Sequence, residues 1–298
     1  MHIPDGFLSD PVCAATTAVS IGAVAGAAVV IRRMAAVQPH AAMAMVAAGI
    51  FAGQMINFPV AEGTSGHLIG TALAVALLGP AAAMLIVAAV LVVQCLLFGD
   101  GGVHAIGANV LNMAAIAAVI SQFVLVVAQR AGLGRLAAVA TAAWCSVLAA
   151  ALACALELAA SGVQPLTVIL PQMLKVHAVI GLGEAIVTVG VLAVLNSRAL
   201  ARISEPKIAH AGILLSAALL APWASASPDG LERIARSLGF ADLAATTYLA
   251  PFANYAAFEA GPEALSTLLA CAIGLLTVFA LVFALSRPRF GTPWRRTE

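Results

Sequence analysis

Along the chain, long stretches without Asp, Glu, Lys or Arg alternate with short polar joints. The uncharged runs are 11–31, 34–61, 63–99, 101–129, 136–156, 208–228 and 264–286. A bilayer crossing needs about 20 mostly apolar residues, and no soluble fold hides so many all-round apolar helices. The pattern predicts spans at about 12–31, 41–58, 67–79, 80–98, 104–128, 136–159, 173–196, 208–223 and 264–285. The run 63–99 is too long for one crossing, and Gly79-Pro80 inside it marks a break, since proline removes a donor and clashes with the preceding turn. The short helix 67–79 then needs a protein-lined cavity beside it. The expected fold class is an all-α integral membrane protein.

Composition agrees: 63% of residues are hydrophobic and 9% charged, against about 25% charged in a typical soluble domain. The net charge of +1 hides an asymmetry. Eleven of the fourteen basic residues fall on one set of alternate loops: Arg32, Arg33, Arg130, Arg135, Arg198, Arg202, Lys207, Arg287, Arg289, Arg295 and Arg296. The opposite loops hold Lys175, Arg233 and Arg236 together with ten acids, among them Asp5, Asp10, Glu62, Asp100, Asp229 and Glu263. The positive-inside rule puts the N-terminus outside and the C-terminus in the cytoplasm, and the odd span count fits. Asp5 and Asp10 stand where a signal peptide would carry basic residues. The five cysteines lie singly in apolar segments, without CxxC spacing, and read as small packing residues.

Two parts are expected: residues 1–200 with seven spans, and 208–298 with two spans flanking an extracytoplasmic segment, 224–263. A polar cytoplasmic linker, 201–207, joins them. Within 224–263, Asp229 and Glu232 have capping-box spacing, Leu231, Ile234 and Leu238 follow on one helical face, and Gly239 can close a short amphipathic helix. In the first span Ala14, Ala18, Gly22 and Gly26 fall four apart. Such a ridge lets another helix approach closely in lipid, either from this chain or from a separate membrane subunit.

The start, Met1-His2-Ile3-Pro4-Asp5-Gly6-Phe7, carries the sharpest chemistry. A free amine, the deprotonated His2 amide nitrogen and the His2 ring nitrogen can close two fused chelate rings on one metal. A second imidazole completes a square plane, and nitrogen donors in that geometry suit Ni(II) or Cu(II), with Co(II) also accommodated. Pro4-Asp5-Gly6 is a turn signal that can fold the tail back into the bundle. Two further histidines, His67 after Gly63-Thr64-Ser65-Gly66 and His104 after Gly99-Asp100-Gly101-Gly102, map to the same face as the tail.

Met1-His2-Ile3-Pro4-Asp5-Gly6-Phe7-Leu8-Ser9, Asn57-Phe58-Pro59-Val60 and Gly63-Thr64-Ser65-Gly66-His67-Leu68 together resemble the cobalt/nickel substrate-capture subunits of energy-coupling-factor (ECF) transporters, the CbiM/NikM family. Gly107-Ala108-Asn109-Val110-Leu111-Asn112-Met113 and His177-Ala178-Val179-Ile180-Gly181 are similar to its later blocks, so the likeness covers about residues 1–200. Ser227-Pro228-Asp229-Gly230-Leu231-Glu232 resembles the PDGLE motif of the small accessory component fused C-terminally in some members (CbiN/NikN-like). The resemblance implies a seven-helix bundle with the tail plugged into its centre, here with two further transmembrane helices. It implies metal ligation by the Met1 amine, the His2 amide and ring, and the His67 ring. It gives His104 no ligand role. It also implies a transmembrane coupling (T) subunit and separate cytoplasmic ATPase subunits as partners, in a bacterial or archaeal cytoplasmic membrane.

Lys175, His177 and Glu184 are polar positions within an apolar helix, and His177 and Glu184, seven apart, share a face. They can form an exit route or a hydrogen-bonded brace holding the tail. The chain has only two lysines, Lys175 and Lys207, and neither stands in a phosphate-binding Gly-x-x-x-x-Gly-Lys loop. ATP hydrolysis must therefore come from other chains. A self-sufficient secondary transporter or channel needs a continuous polar path, of which only His177 and Glu184 give a hint. An intramembrane metalloenzyme lacks His-Glu-x-x-His. The expected function is binding without catalysis and without a resident cofactor, the metal, Ni(II) or Co(II), being the transported substrate. The sequence leans to nickel because the site should be planar.

Overall fold

The uncharged runs become helices because in hydrocarbon each main-chain N–H and C=O must be satisfied within the protein, and a helix does so within its own segment. The computed structural model describes residues 1–34, 40–60, 63–196, 225, 227–258 and 262–286. The expected linker 201–207 and span 208–223 lie outside the described residues. Helices α1 (Asp10–Arg33), α2 (His40–Gln54), α3 (Thr71–Leu78) and α4 (Pro80–Val93) come first. A π-helical turn, Gln94–Phe98, extends α4. A second rod comprises α5 (Ile106–Val110), a π turn at Leu111–Ile116 and α6 (Ala117–Arg130). Then follow α7 (Arg135–Ala160), α8 (Leu166–Leu195), the short α9 (Gly230–Ser237) and α10 (Glu263–Ser286).

Among the described residues six helices are long and apolar enough to cross a bilayer: α1, α4 with its π turn, the α5–α6 rod, α7, α8 and α10. The surface is that of a protein in lipid. Phe123, Ile186, Leu276 and Leu285 stand exposed, whereas Gln54, Thr71, Gln94, Asn112 and Glu184 are buried.

Three expected boundaries move. The third span starts at Thr71, not 67, because residues 67–70 are drawn out into a loop whose Ile69 and Gly70 amides bond Glu184 at 2.6 and 2.8 Å. The second ends at Gln54, since Phe58–Pro59 leaves the helix to pair antiparallel with Ser65–Gly66. The seventh starts at Leu166, seven residues earlier than read, with Pro165 as its cap and Pro171 inside it. Near a helix start only one hydrogen bond is forfeited to such a proline, so the helix runs through.

On α1, Thr16, Ser20, Ala27 and Ile31 face inward, and the Ser20 hydroxyl donates to the Gly107 carbonyl at 2.6 Å. Ala14, Ala18, Gly22 and Gly26 all face outward, and a Cβ on either glycine would meet nothing of this chain within 4 Å. Among the described residues the small-residue ridge is thus not an internal packing seam. A close helix approach is found where α10 crosses α2: a Cβ on Gly274 would come within 2.0 Å of the Phe51 ring. Gly274→Leu should therefore destabilise the chain by about 1–3 kcal/mol through overpacking, while Gly26→Leu changes stability by no more than about 0.5 kcal/mol. Thermal unfolding of the two variants in detergent checks the contrast.

Candidate metal centre

The tail, residues 1–9, turns back into one end of the bundle and is fixed there by hydrogen bonds along its length. The Asn109 side chain treats Ile3 as a strand partner would: its Oδ1 accepts from the Ile3 N–H at 2.8 Å and its Nδ2 donates to the Ile3 carbonyl at 3.0 Å. That carbonyl also accepts from Gly102 N–H at 2.9 Å. Asp5 spreads its carboxylate over the amides of Val103, His104 and Ala105 at 2.8 to 3.2 Å and also accepts from the Thr247 hydroxyl. A side chain at 102 would forbid this, since its Cβ would lie 2.0 Å from Asp5 Oδ1. The Pro4-Asp5-Gly6 turn is present, with Gly6 at φ +89°.

This anchoring delivers the Met1 amine to His67. The amine contacts His67 Nε2 directly and pairs with Asp229 Oδ2 at 2.8 Å. His67 Nδ1 faces the Leu68 carbonyl at 3.1 Å, so Nδ1 carries the proton and the Nε2 lone pair is turned to the amine. The loop bearing His67 is rigid for identifiable reasons. Glu184 holds the next two amides, Gln54 Nε2 donates to the Ile69 carbonyl at 2.8 Å, and Ser65 N–H donates to the Pro228 carbonyl at 2.8 Å. The His2 ring stacks on His67 at 5.0 Å between centroids and 20° between planes. Its Nδ1 lies 3.1 Å from Asp100 Oδ1, and Asp100 Oδ2 accepts from the Tyr255 hydroxyl at 2.6 Å.

The electrostatics follow from burial and charge. Burial, then the Met1 amine and His2, push His67 down to about 3, so it is a neutral imidazole at neutral pH. Burial likewise lowers His2, with Asp100 pulling the other way. Asp229 behaves oppositely: burial would raise it, but the Met1 amine foremost, aided by His67 and the Glu232 N–H, holds it well below the usual carboxylate range. Asp100 is likewise held down against burial, chiefly by His2 and Tyr255. The centre thus joins one ammonium, two neutral imidazoles and two carboxylates.

The structure brings Met1, His2 and His67 together and leaves the exposed His104 aside, its amide alone serving Asp5. His177 donates from Nδ1 to the Met173 carbonyl at 2.8 Å, and with Met1, His67, Asp229 and Gly230 it lines a cavity of about 10 Å³. Glu184 is a brace, though it holds the His67 loop and not the tail. Sequence reasoning missed Asp100, Asn109 and Tyr255 as parts of the site. It read Asp229 only as a helix cap. It is one, with Oδ1 accepting the Glu232 N–H at 2.8 Å, but its other oxygen serves Met1. The five cysteines are free.

A bundle of bilayer-length helices with nitrogen donors gathered from its own N-terminus at one end has the build of a membrane protein that handles a metal cation. The comparisons agree. The family described as "Cobalt uptake substrate-specific transmembrane region" (CbiM) matches residues 2–201. A putative fused nickel transport protein, NikMN, of Archaeoglobus fulgidus is 36% identical over 96% of this chain and 98% of its own length. A cobalt transport protein, CbiM, of Sorangium cellulosum is 32% identical over 66% of this chain and 92% of its own. A crystal structure titled as a truncated transition metal transporter superposes with a TM-score of 0.60 at 34% identity, covering 65% of this chain and 98% of that one. The chain belongs to the CbiM/NikM family of nickel and cobalt transport membrane proteins, in the form with a NikN-like region fused at the C-terminus.

The Asn109 side chain is the main fixture of the tail. Asn109→Ala strips the Ile3 N–H of its acceptor, while the Ile3 carbonyl keeps the Gly102 N–H, and a buried group left unsatisfied costs about 1–3 kcal/mol. Hydrogen exchange at Ile3 and Phe7 should accelerate at least tenfold while α7 and α8 stay protected, as mass spectrometry of the two proteins would show.

Proposed function

We propose that this chain is the substrate-binding membrane subunit of an ATP-driven ECF-type importer, capturing Ni(II) or Co(II) at its N-terminus. The observation that carries the reading is the Met1 amine against His67 Nε2, with the His2 ring stacked beside them in a buried pocket. Among the described residues no three His, Cys, Asp or Glu side chains are grouped to hold a metal. Main-chain nitrogen can supply donors instead, and the Met1 amine with the adjacent His2 amide stands at this pocket. The ligand set is the Met1 amine, the His2 amide and Nδ1, and His67 Nε2. All are nitrogens, which favours a planar ion of the Ni(II) type over hard cations. To ligate, the amine and the amide shed their protons, and His2 Nδ1 leaves Asp100.

In this reading residues 1–200 form the binding unit, and residues 208–298 form the accessory unit whose extracytoplasmic segment covers the site. The N-terminus is outside and the basic loops are cytoplasmic, as charge distribution favours. Energy comes from a coupling subunit and ATPase subunits on other chains. A self-sufficient transporter is less well supported, because both Glu184 oxygens are already occupied by main-chain amides.

Adding one residue before Met1 moves the amine out of the chelate. It should weaken Ni(II) binding by at least 100-fold, as should His67→Ala, while His104→Ala stays within threefold of the native chain. Isothermal titration of the purified proteins decides it, and native affinity in the extended chain would reject the ligand set.

The outward ridge Ala14, Ala18, Gly22 and Gly26 is where a coupling helix can approach closely. Ala18→Leu with Gly22→Leu should preserve metal binding but cut co-purification with the coupling subunit and metal uptake by at least tenfold. Unchanged uptake would put the docking face elsewhere.

A further inference from the structure

Gln94 is fully buried, and neither its Nε2 nor its Oε1 has a hydrogen-bond partner among the described residues. A buried amide left so is costly, at about 1–3 kcal/mol for each unmet group, and such groups call for an explanation. Its surroundings offer one. Gln94 opens the π turn that ends α4, and its carbonyl accepts from the Asp100 amide at 3.1 Å. The turn therefore puts the Gln94 and Asp100 side chains about the same imidazole. Asp100 faces His2 Nδ1 at 3.1 Å, and the Gln94 side chain lies by the His2 ring and the Tyr255 phenol. The remaining ring atom, His2 Nε2, is also buried and without a partner. The Gln94 amide and His2 Nε2, neither of them in a hydrogen bond of good geometry, thus belong to one cluster.

We propose that Gln94 is a positioning residue that sets which ring nitrogen of His2 carries the proton, and so presents the other to the metal. The proposal rests on the reading of His2 as a ligand and deepens it. A neutral imidazole has one N–H and one lone pair, and the partner at one nitrogen fixes the role of the other. In the empty chain Asp100, an acceptor only, keeps the proton on Nδ1, and Nε2 then needs a donor. When Nδ1 takes the metal the proton must sit on Nε2, which then needs an acceptor. A glutamine amide supplies the first from Nε2–H and the second from Oε1, by rotating about its last torsion. Neither a carboxylate nor an ammonium can do both. Partners of this kind behind a metal-bound histidine are worth about 10–100-fold in affinity.

The test compares the full-length native chain with Gln94→Met, Gln94→Glu and His2→Ala, titrated with Ni(II) alone. Gln94→Met removes donor and acceptor at nearly constant volume, and Gln94→Glu keeps the acceptor needed in the loaded state. Gln94→Met should bind about 10–100-fold more weakly, and in the loaded protein the His2 Nε2–H, followed by NMR with ring-labelled histidine, should exchange freely with water. Gln94→Glu should stay within threefold of native affinity with that proton protected. A folded Gln94→Met that binds within threefold overturns the proposal. So does a folded Gln94→Glu that binds at least tenfold more weakly than the native chain, a comparison that stands even where the methionine variant fails to fold. Native affinity in His2→Ala would instead reject His2 as a ligand, and the proposal with it.

Discussion

A charged main-chain amine inside a helical bundle is the condition on which the rest of this structure depends. Moving an ion out of water costs several kcal/mol even after relaxation, and leaving it unpaired costs more. Asp229 meets the Met1 amine at 2.8 Å, and the neutral His67 ring offers its lone pair from the other side. Everything around these groups serves to keep them there. Asn109 and Asp5 fix the path of the tail, Glu184 and Gln54 fix the loop that carries His67, and Tyr255 fixes the carboxylate that holds His2.

The supports come from parts of the chain far apart in sequence, and this decides what a sequence can reveal. Helices were legible because an uncharged run of bilayer length has no other stable form in lipid. Boundaries were less so, since the start of α3 is set by Glu184, which lies 115 positions from Ile69. The meeting of Met1, His2 and His67 was legible because a chelating start and a histidine in a glycine-rich loop are local features. Asp229 was half legible: its spacing to Glu232 announced a cap, but nothing local announced that its second oxygen would serve Met1. Asp100 and Tyr255 gave no local sign, and Asn109 only its place in a block similar to the family's, because their roles exist only across the folded interface.

The two π-helical turns belong to the same economy of positioning. Each adds a residue to a helical turn, and such turns gather at functional sites. The one at 94–98 brings Gln94 and Asp100 to one imidazole. The one at 111–116 carries Met113, whose carbonyl accepts the Thr71 hydroxyl at 2.5 Å just beyond the His67 loop. Regular α-helix in either place would rotate these groups out of register.

The ion pair between Met1 and Asp229 also has a temporal meaning. It joins residue 1 to residue 229, and contacts of such long separation close late because their loop entropy must be met first. Helices α1 to α8 can insert and pack while the amine still waits for its carboxylate. The pocket is therefore complete only in molecules whose last third has been synthesised and docked, and a chain interrupted before that point would carry the bundle without its seal.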